Sequence, residues 1–365
     1  MSGLSSGIVG LPNVGKSTLF NALMRKSKAS ASNFPFCTIE PNVGIVDLPD
    51  SRLQALSDLS KSKKIIPATV TFVDIAGLVQ GASKGEGLGN KFLSNIRETD
   101  AIIHVVRCFE DENVIHVEGK VDPISDIEVI NLELILADLQ MAENILQKLE
   151  KQSKGDPKLL PHVNLLKNII EHLNSNQPVR SFKCGKEECD LLKTHHFLTN
   201  KKVIYVTNLA EKDLLKLDSP HYKKVKDYAE NESSQVIPIC AKLEEELSML
   251  EQEESKEYLK ELGLHEPGLN RLIQSTFKTL NLITFLTTGE AETKAWTIPR
   301  GFIAKEAAGK IHSDIQNGFI RAEVISYETM ITYHGRVGAK EAGKARSEGK
   351  EYIVQDGDVI LFFHN

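Results

Sequence analysis

The sequence predicts an α/β domain with a helical hairpin inserted into it, followed by a separate small α+β domain. Three observations carry this. An apolar run ending at Ile8 and Val9 meets a glycine-bearing loop and then a helical stretch, Thr18 to Arg25. Between 125 and 198, leucines recur at i+3, i+4 and i+7 spacing, as in helices with one apolar face. From about Leu282, short β-rich runs alternate with glycine turns. The resulting spans are 1–125 and 201–281 for the α/β domain, 126–200 for the insertion and 282–365 for the C-terminal domain.

The first element is the most specific. Gly10-Leu11-Pro12-Asn13-Val14-Gly15-Lys16-Ser17 fits G-x-x-x-x-G-K-[ST], the phosphate-cradling P-loop, with a strand before it and a helix after it. The glycines let the backbone curl so that successive N–H groups, Asn13 to Thr18, point at phosphate oxygens. The helix N-terminus adds partial positive charge. Lys16 supplies a cation for the terminal phosphates and Ser17 a hydroxyl for Mg²⁺. Asn13 could also help hold a monovalent cation, K⁺, near the phosphates.

Residues 27–42 read as a loop, because Pro35 and Pro41 exclude a regular helix there. A first switch occupies this place in P-loop proteins. Thr38 is either its Mg²⁺-closing threonine or an ordinary loop residue, and spacing does not decide between them. Val43 to Leu48 and Thr69 to Val73 read as strands. The second runs into Asp74-Ile75-Ala76-Gly77, where Asp74 can hold Mg²⁺ through water and Gly77 can offer its N–H to the γ-phosphate. Gly81, Gly85, Gly87 and Gly89 follow, as expected of a second switch. Leu78 stands where many GTPases carry the glutamine that orients the attacking water, so hydrolysis is slow or another group acts. After a strand from Ala101 to Val106, His116 lies on a polar loop; alone, it reads as a surface histidine.

Leu132, Leu136, Leu139, Leu146 and Leu149 form one apolar stripe, and Val163, Leu166, Ile170 and Leu173 a second. The break at Lys154-Gly155-Asp156-Pro157 makes them a hairpin. A strand then runs from Lys201 to Val206 into Thr207-Asn208-Leu209-Ala210-Glu211. GTPases read Asn-Lys-x-Asp here, the Asp accepting guanine's N1–H and 2-amino group. Leu209 removes the lysine stem and the longer Glu211 displaces the carboxylate, which penalises guanine but not adenine. Asp213, two residues on, is a possible substitute acceptor. Val236 to Ile239 is a last strand into a base-side loop. Glu244 to Glu257 reads as an exposed acidic helix with a solvated face.

In the C-terminal domain the expected strands are Ile283 to Leu286, Phe319 to Ile325, Tyr352 to Val354 and Val359 to Phe363. Lys340, Lys344, Arg346 and Lys350 form either a phosphate-backbone patch or solvated charge balanced by Glu341, Glu348 and Glu351.

Composition bounds the function class. The chain has 365 residues, 41% hydrophobic and 26% charged, ordinary for a soluble globular protein. The net charge of -6 gives no global basic footprint, so nucleic-acid contact must be local. No apolar run approaches the roughly 20 residues of a membrane span, and Met1 to Ser6 lacks the pattern of a secretory signal. Of Cys37, Cys108, Cys184, Cys189 and Cys240, only Cys184 and Cys189 are close, as C-x4-C. Reduced thiols in a cytoplasmic protein are expected.

Taken together, residues 10–17, Asn33 to Asn42, Asp74 to Val79, Gly81 to Asn90, Asn208 to Glu211 and Ala308 to His312 resemble the YchF branch of the Obg-related P-loop proteins, the Obg-like ATPases. The resemblance spans essentially the whole chain. It implies a Ras-like nucleotide domain, a coiled-coil insertion and a C-terminal TGS domain of β-grasp type. It also implies an Mg²⁺-dependent ATPase preferring ATP over GTP, bound to the large ribosomal subunit and ribosomal RNA rather than DNA or membrane, monomeric, cytoplasmic and linked to stress. By position, Ser17 and Thr38 would meet Mg²⁺, Asn208 and Leu209 would line the adenine site, and His116 would take part in hydrolysis. Two alternatives stay open: an Obg-type GTPase with relaxed base specificity, and an ATP-binding scaffold that hardly turns over.

Overall fold

The computed structural model describes residues 4–31, 42–75, 87–111, 114 and 120–365 of the chain. Its strands are β1 (Ser5–Val9), β2 (Val43–Asp47), β3 (Ile65–Ile66), β4 (Thr69–Asp74), β5 (Ala101–Arg107), β6 (Lys202–Asn208), β7 (Gln235–Ile239), β8 (Leu282–Thr288), β9 (Thr293–Pro299), β10 (Phe319–Ser326), β11 (Arg346–Glu348) and β12 (Asp358–His364).

Apolar runs in β5 and β6 demand cover on both faces, which suits a parallel sheet flanked by helices. The first sheet has the order β2-β4-β1-β5-β6-β7 among the described residues. Its central strands are parallel: β1 pairs with β5 from Ser6↔Ala101 to Val9↔His104, and β5 with β6 from Ala101↔Lys202 to Arg107↔Asn208. All seven residues of β5 are buried. The carboxyl ends of these strands therefore come out on one edge, where ligand sites of α/β sheets lie. The helix Lys16–Ala31 follows β1. It outruns the expected end at Arg25 and enters the span expected as a loop, because Ser27 to Ala31 contains no proline or glycine to stop it.

Helices Pro123–Ser153 and Leu160–Asn174 form the hairpin. Pro157–Leu159 makes the connecting turn, with Asp156 accepting the Lys158 N–H at 3.1 Å. The second stripe is as expected, with Val163, Leu166 and Leu173 buried and Ile170 packed beside them. The first stripe is correct for Leu139, Leu146 and Leu149, which pack against the hairpin core, and needs correction at its start. Leu132 and Leu136 are exposed, and Ile127, Ile130, Leu134, Ile135 and Ala142 are the buried face. Cys184 and Cys189 are joined in a disulfide rather than kept as thiols. Gly185 and the first turn of helix Lys186–Thr194 bring their Cα atoms to 5.7 Å, within bridging range.

The acidic stretch also differs from expectation. It splits into helices Ala241–Leu247 and Gln252–Glu261, and Glu244 is buried rather than solvated. Its carboxylate accepts the N–H groups of Gly268 (2.6 Å) and Leu269 (3.2 Å) at the start of helix Gly268–Thr279, where a negative charge is favoured.

The chain divides into two compact units. One contains β1, the start of the following helix and the described residues of 71–271; the other contains residues 45–70 with 272–365. The second unit holds a mixed sheet, ordered β11-β10-β12-β8-β9-β3. β12 runs antiparallel to β10 and parallel to β8. Helix Ala304–Ile311 packs Ala304 and Ala307 onto Phe285, Ile298, Val324 and Ile360. This is the β-grasp arrangement. Tyr352 to Val354 is not the expected strand: Ile353 makes a single antiparallel bridge to Ile303. β3, β9 and β11 were not foreseen. Among the described residues no helix is long and apolar enough to cross a membrane.

Candidate functional site

β1 delivers the chain into the P-loop, and two residues there adopt left-handed backbone: Asn13 (φ 62°) and Gly15 (φ 93°). A Cβ on Gly15 would stand 2.1 Å from the Asn208 Nδ2, and one on Gly10 would stand 2.7 Å from the Val105 carbonyl oxygen. Both positions require glycine on steric grounds. The Leu19 N–H bonds the Gly15 carbonyl at 3.0 Å, closing the first helical turn.

Asn208 is buried at the end of β6 and braces the site from the other side. Its Nδ2 donates to the Val14 carbonyl (2.8 Å) and its Oδ1 accepts the Ala241 N–H (2.9 Å). One amide thus ties the P-loop to the start of helix Ala241–Leu247, which follows β7. Leu209 is buried behind it, its N–H bonded to the Ile239 carbonyl at 2.8 Å. Glu211 is exposed and opens a short helix, Glu211–Leu214.

These elements enclose a cavity of about 900 Å³. Asn13, Gly15, Lys16, Ser17 and Thr18 line one side; Asn208, Leu209, Ala210 and Glu211 line another, joined by Cys240, Ala241 and Lys242. Eight of the expected site residues therefore share one cavity. Val14 contributes its carbonyl to Asn208 rather than a cavity surface, and Asp213 is not on the wall. Thr38, Gly77, Leu78 and His116 lie outside the described residues. Asp74 ends β4, and its Oδ1 pairs with the Lys16 Nζ, so the cation and the carboxylate neutralise each other. Burial pushes the Cys240 thiol up, which keeps it protonated on the cavity wall.

A third wall, formed by Phe109, Glu110, Asp111 and Val114, was not recognised from sequence. Glu110 and Asp111 look there like part of a polar loop. The available signal was positional: these residues directly follow β5, at the same sheet edge as the P-loop.

The donor set suits Mg²⁺. Ser17 and Asp74 are hard oxygen donors, and a P-loop magnesium takes few protein ligands and completes its shell with phosphate and water. Among the described residues no group of three or more His, Cys, Asp or Glu forms a self-sufficient metal cage. The basic residues of the C-terminal unit are partly committed. Lys340 lies 3.0 Å from Glu323, and Arg346 lies 3.3 Å from Glu348 and stacks against Tyr352.

A family model described as a 50S ribosome-binding GTPase matches residues 5–145. The model of the YchF-GTPase C-terminal region, described as a protein of unknown function (DUF933), matches residues 282–365. The chain is 52% identical over 364 residues to the ribosome-binding ATPase YchF of Haemophilus influenzae, covering all of this chain and 99% of that one. Against the Bacillus subtilis protein of the same name it is also 52% identical over 364 residues, with 99% of each covered. The structure of the Schizosaccharomyces pombe YchF GTPase superposes with a TM-score of 0.91 at 36% identity, covering 99% of this chain and 97% of that one.

Proposed function

The chain belongs to the YchF family, and from that premise we propose that it is a ribosome-binding, Mg²⁺-dependent ATPase that hydrolyses ATP to ADP and phosphate in preference to GTP. The carrying observation is the single cavity that joins the P-loop to Asn208, Leu209 and Glu211. A nucleoside triphosphate has its phosphates on the first group and its base on the second.

In this reading the N–H groups around Gly15 and the N-terminus of helix Lys16–Ala31 hold the phosphates. Lys16 exchanges Asp74 for the terminal phosphate oxygens. Ser17 and Asp74, with Thr38, would hold Mg²⁺, which would offset the negative charge of the bound phosphates. Gly77 supplies an N–H to the γ-phosphate, His116 assists hydrolysis in place of the glutamine that Leu78 replaces, and K⁺ beside Asn13 belongs to the same set. Asn208 braces the two sides of the site through its amide. Leu209 and Glu211 set base choice, and a displaced carboxylate handicaps guanine alone. The alternative of relaxed base choice rests on Glu211, whose side chain lines the same cavity.

The domain spans 1–125, 126–200, 201–281 and 282–365, the large subunit and its RNA as partner, a monomeric state, cytoplasmic location and a regulatory role in translation under stress complete the proposal. Calorimetric titration with ATP and with GTP, each with Mg²⁺, tests it. ATP binding at least about tenfold tighter, a difference of 1.4 kcal/mol, is expected. Comparable or tighter GTP binding overturns the ATP preference, and absence of both overturns the nucleotide reading.

A further inference from the structure

Arg107, the last residue of β5, carries a guanidinium that the reading above leaves without a task. It is 2% exposed. A buried cation persists only where its donors are satisfied. Here the Nε donates to the Phe109 carbonyl (3.1 Å), one terminal nitrogen to the Val114 carbonyl (3.0 Å) and the other to the Asp111 carbonyl (3.3 Å). The guanidinium carbon also lies 4.5 Å from the centroid of the Phe109 ring. All three acceptors belong to one stretch, and all three residues line the nucleotide cavity.

We infer that Arg107 is a positioning residue that builds the wall of the nucleotide cavity formed by Phe109, Asp111 and Val114 and thereby sets nucleotide affinity. The inference rests on the nucleotide reading of that cavity. A loop leaving a sheet has no ladder to bond its carbonyls. Arg107 supplies the missing donors from within, so the wall takes its shape from a side chain rooted in the sheet. The anchor itself is fixed: Arg107 is in register with Asn208, and the Cys108 N–H bonds the Asn208 carbonyl at 2.9 Å. The end of β5 thus serves one wall while the end of β6 serves the other. Arginine suits the task because its planar fork reaches carbonyls in different directions at once, whereas a lysine ammonium is a point charge on a flexible stem. Arg107 itself is not on the cavity surface, so its influence on ligand passes through the three residues it holds.

The test uses the full-length protein with Mg²⁺ and a fluorescent ATP analogue. Arg107→Met and Arg107→Lys are compared with Leu166→Ala, a core deletion in the helical hairpin that lowers stability without touching the cavity. Dissociation constants and melting temperatures are measured for each, with hydrogen exchange at residues 109–111 and 114. In Arg107→Met the dissociation constant should rise about tenfold or more, the loss expected for hydrogen bonds to a charged group. Exchange should quicken in that stretch, and Leu166→Ala should bind like wild type at an equal or lower melting temperature. Arg107→Lys should fall between; if the methionine variant does not fold, this one decides by the same readouts. Unchanged affinity in a folded Arg107 variant overturns the inference, as does an affinity loss no larger than that of Leu166→Ala. Wild-type protein that fails to bind the analogue, or binds it undiminished after Lys16→Ala, overturns instead the nucleotide reading and the inference with it.

Discussion

Gly15 is held in place by two demands at once. Its backbone is left-handed, and the space where a side chain would project is filled by the Asn208 amide. Gly15→Ala therefore meets a strained backbone, worth about 1–3 kcal/mol, and also pushes Asn208 off Val14 or Ala241. Leaving one of those buried groups unpaired costs about 1–3 kcal/mol more. We expect a folded but destabilised protein whose affinity for ATP falls by at least about tenfold, read by thermal melts and nucleotide titration. Near-normal binding would mean that the brace can move aside. Such a brace is hard to see in a sequence. Asn208 is legible as part of a base-side motif, and Gly15 as part of a phosphate motif, yet nothing in the spacing says that the amide of one fills the space beside the other. Arg107 is less legible still, because a lone arginine at a strand end carries no pattern; its role follows from three carbonyls brought to it by the turn of the chain.

At the level of elements, a polar network joins the helical insertion to the parallel sheet within the first unit. Arg180 lies 3.1 Å from both carboxylate oxygens of Glu232 and 3.3 Å from the Asn131 side-chain oxygen; Glu232 also accepts the Tyr205 hydroxyl at 2.9 Å. Burial, with the nearby Arg180 charge, pushes the His104 imidazole down to about 3, so it remains neutral beside Tyr205. The Arg180–Glu232 pair is largely buried, with side chains 10% and 14% exposed. Arg180→Met should destabilise by about 3–5 kcal/mol, because Glu232 is left largely buried without its charge partner. The surface pair Lys193–Asp190, at 72% and 57% exposed, should change stability by less than about 1 kcal/mol when broken. Chemical denaturation of Arg180→Met and Lys193→Met compares them, and equal losses would remove the network's special standing. The hairpin shows what periodicity can and cannot tell. Its two helices and the turn at Gly155 to Pro157 are evident from spacing. Which face of the first helix is inside is not, since Leu132 and Leu136 compete with Ile127, Ile130 and Leu134 on the same turns, and only the position of the second helix and the sheet decides.

For the molecule as a whole, the second unit brings together distant stretches of chain. Arg52 bonds Asp50 at 2.8 Å, Asp356 at 3.1 Å and the Thr284 hydroxyl at 2.9 Å, and β3 pairs with β9 from Ile65↔Thr293 to Ile66↔Lys294. Strands β8, β10 and β12 are readable because their β-rich runs are local, whereas β9 and β11 carry no such run. The contribution of residues 45–70 is not, because pairing across most of the chain leaves no local trace. A fragment of residues 272–365 alone should lack this edge, and we expect it to melt well below the full-length protein and to self-associate through β9, as seen by light scattering. A monomeric fragment as stable as the whole chain would show that the N-terminal stretch is dispensable.

That pairing also has a consequence in time. On a translating ribosome, Ile65 and Ile66 leave the exit tunnel on the order of tens of seconds before Thr293 and Lys294 have been made. During that interval the segment must wait without its partner, so the second unit cannot be completed until the message has been read at least as far as Lys294.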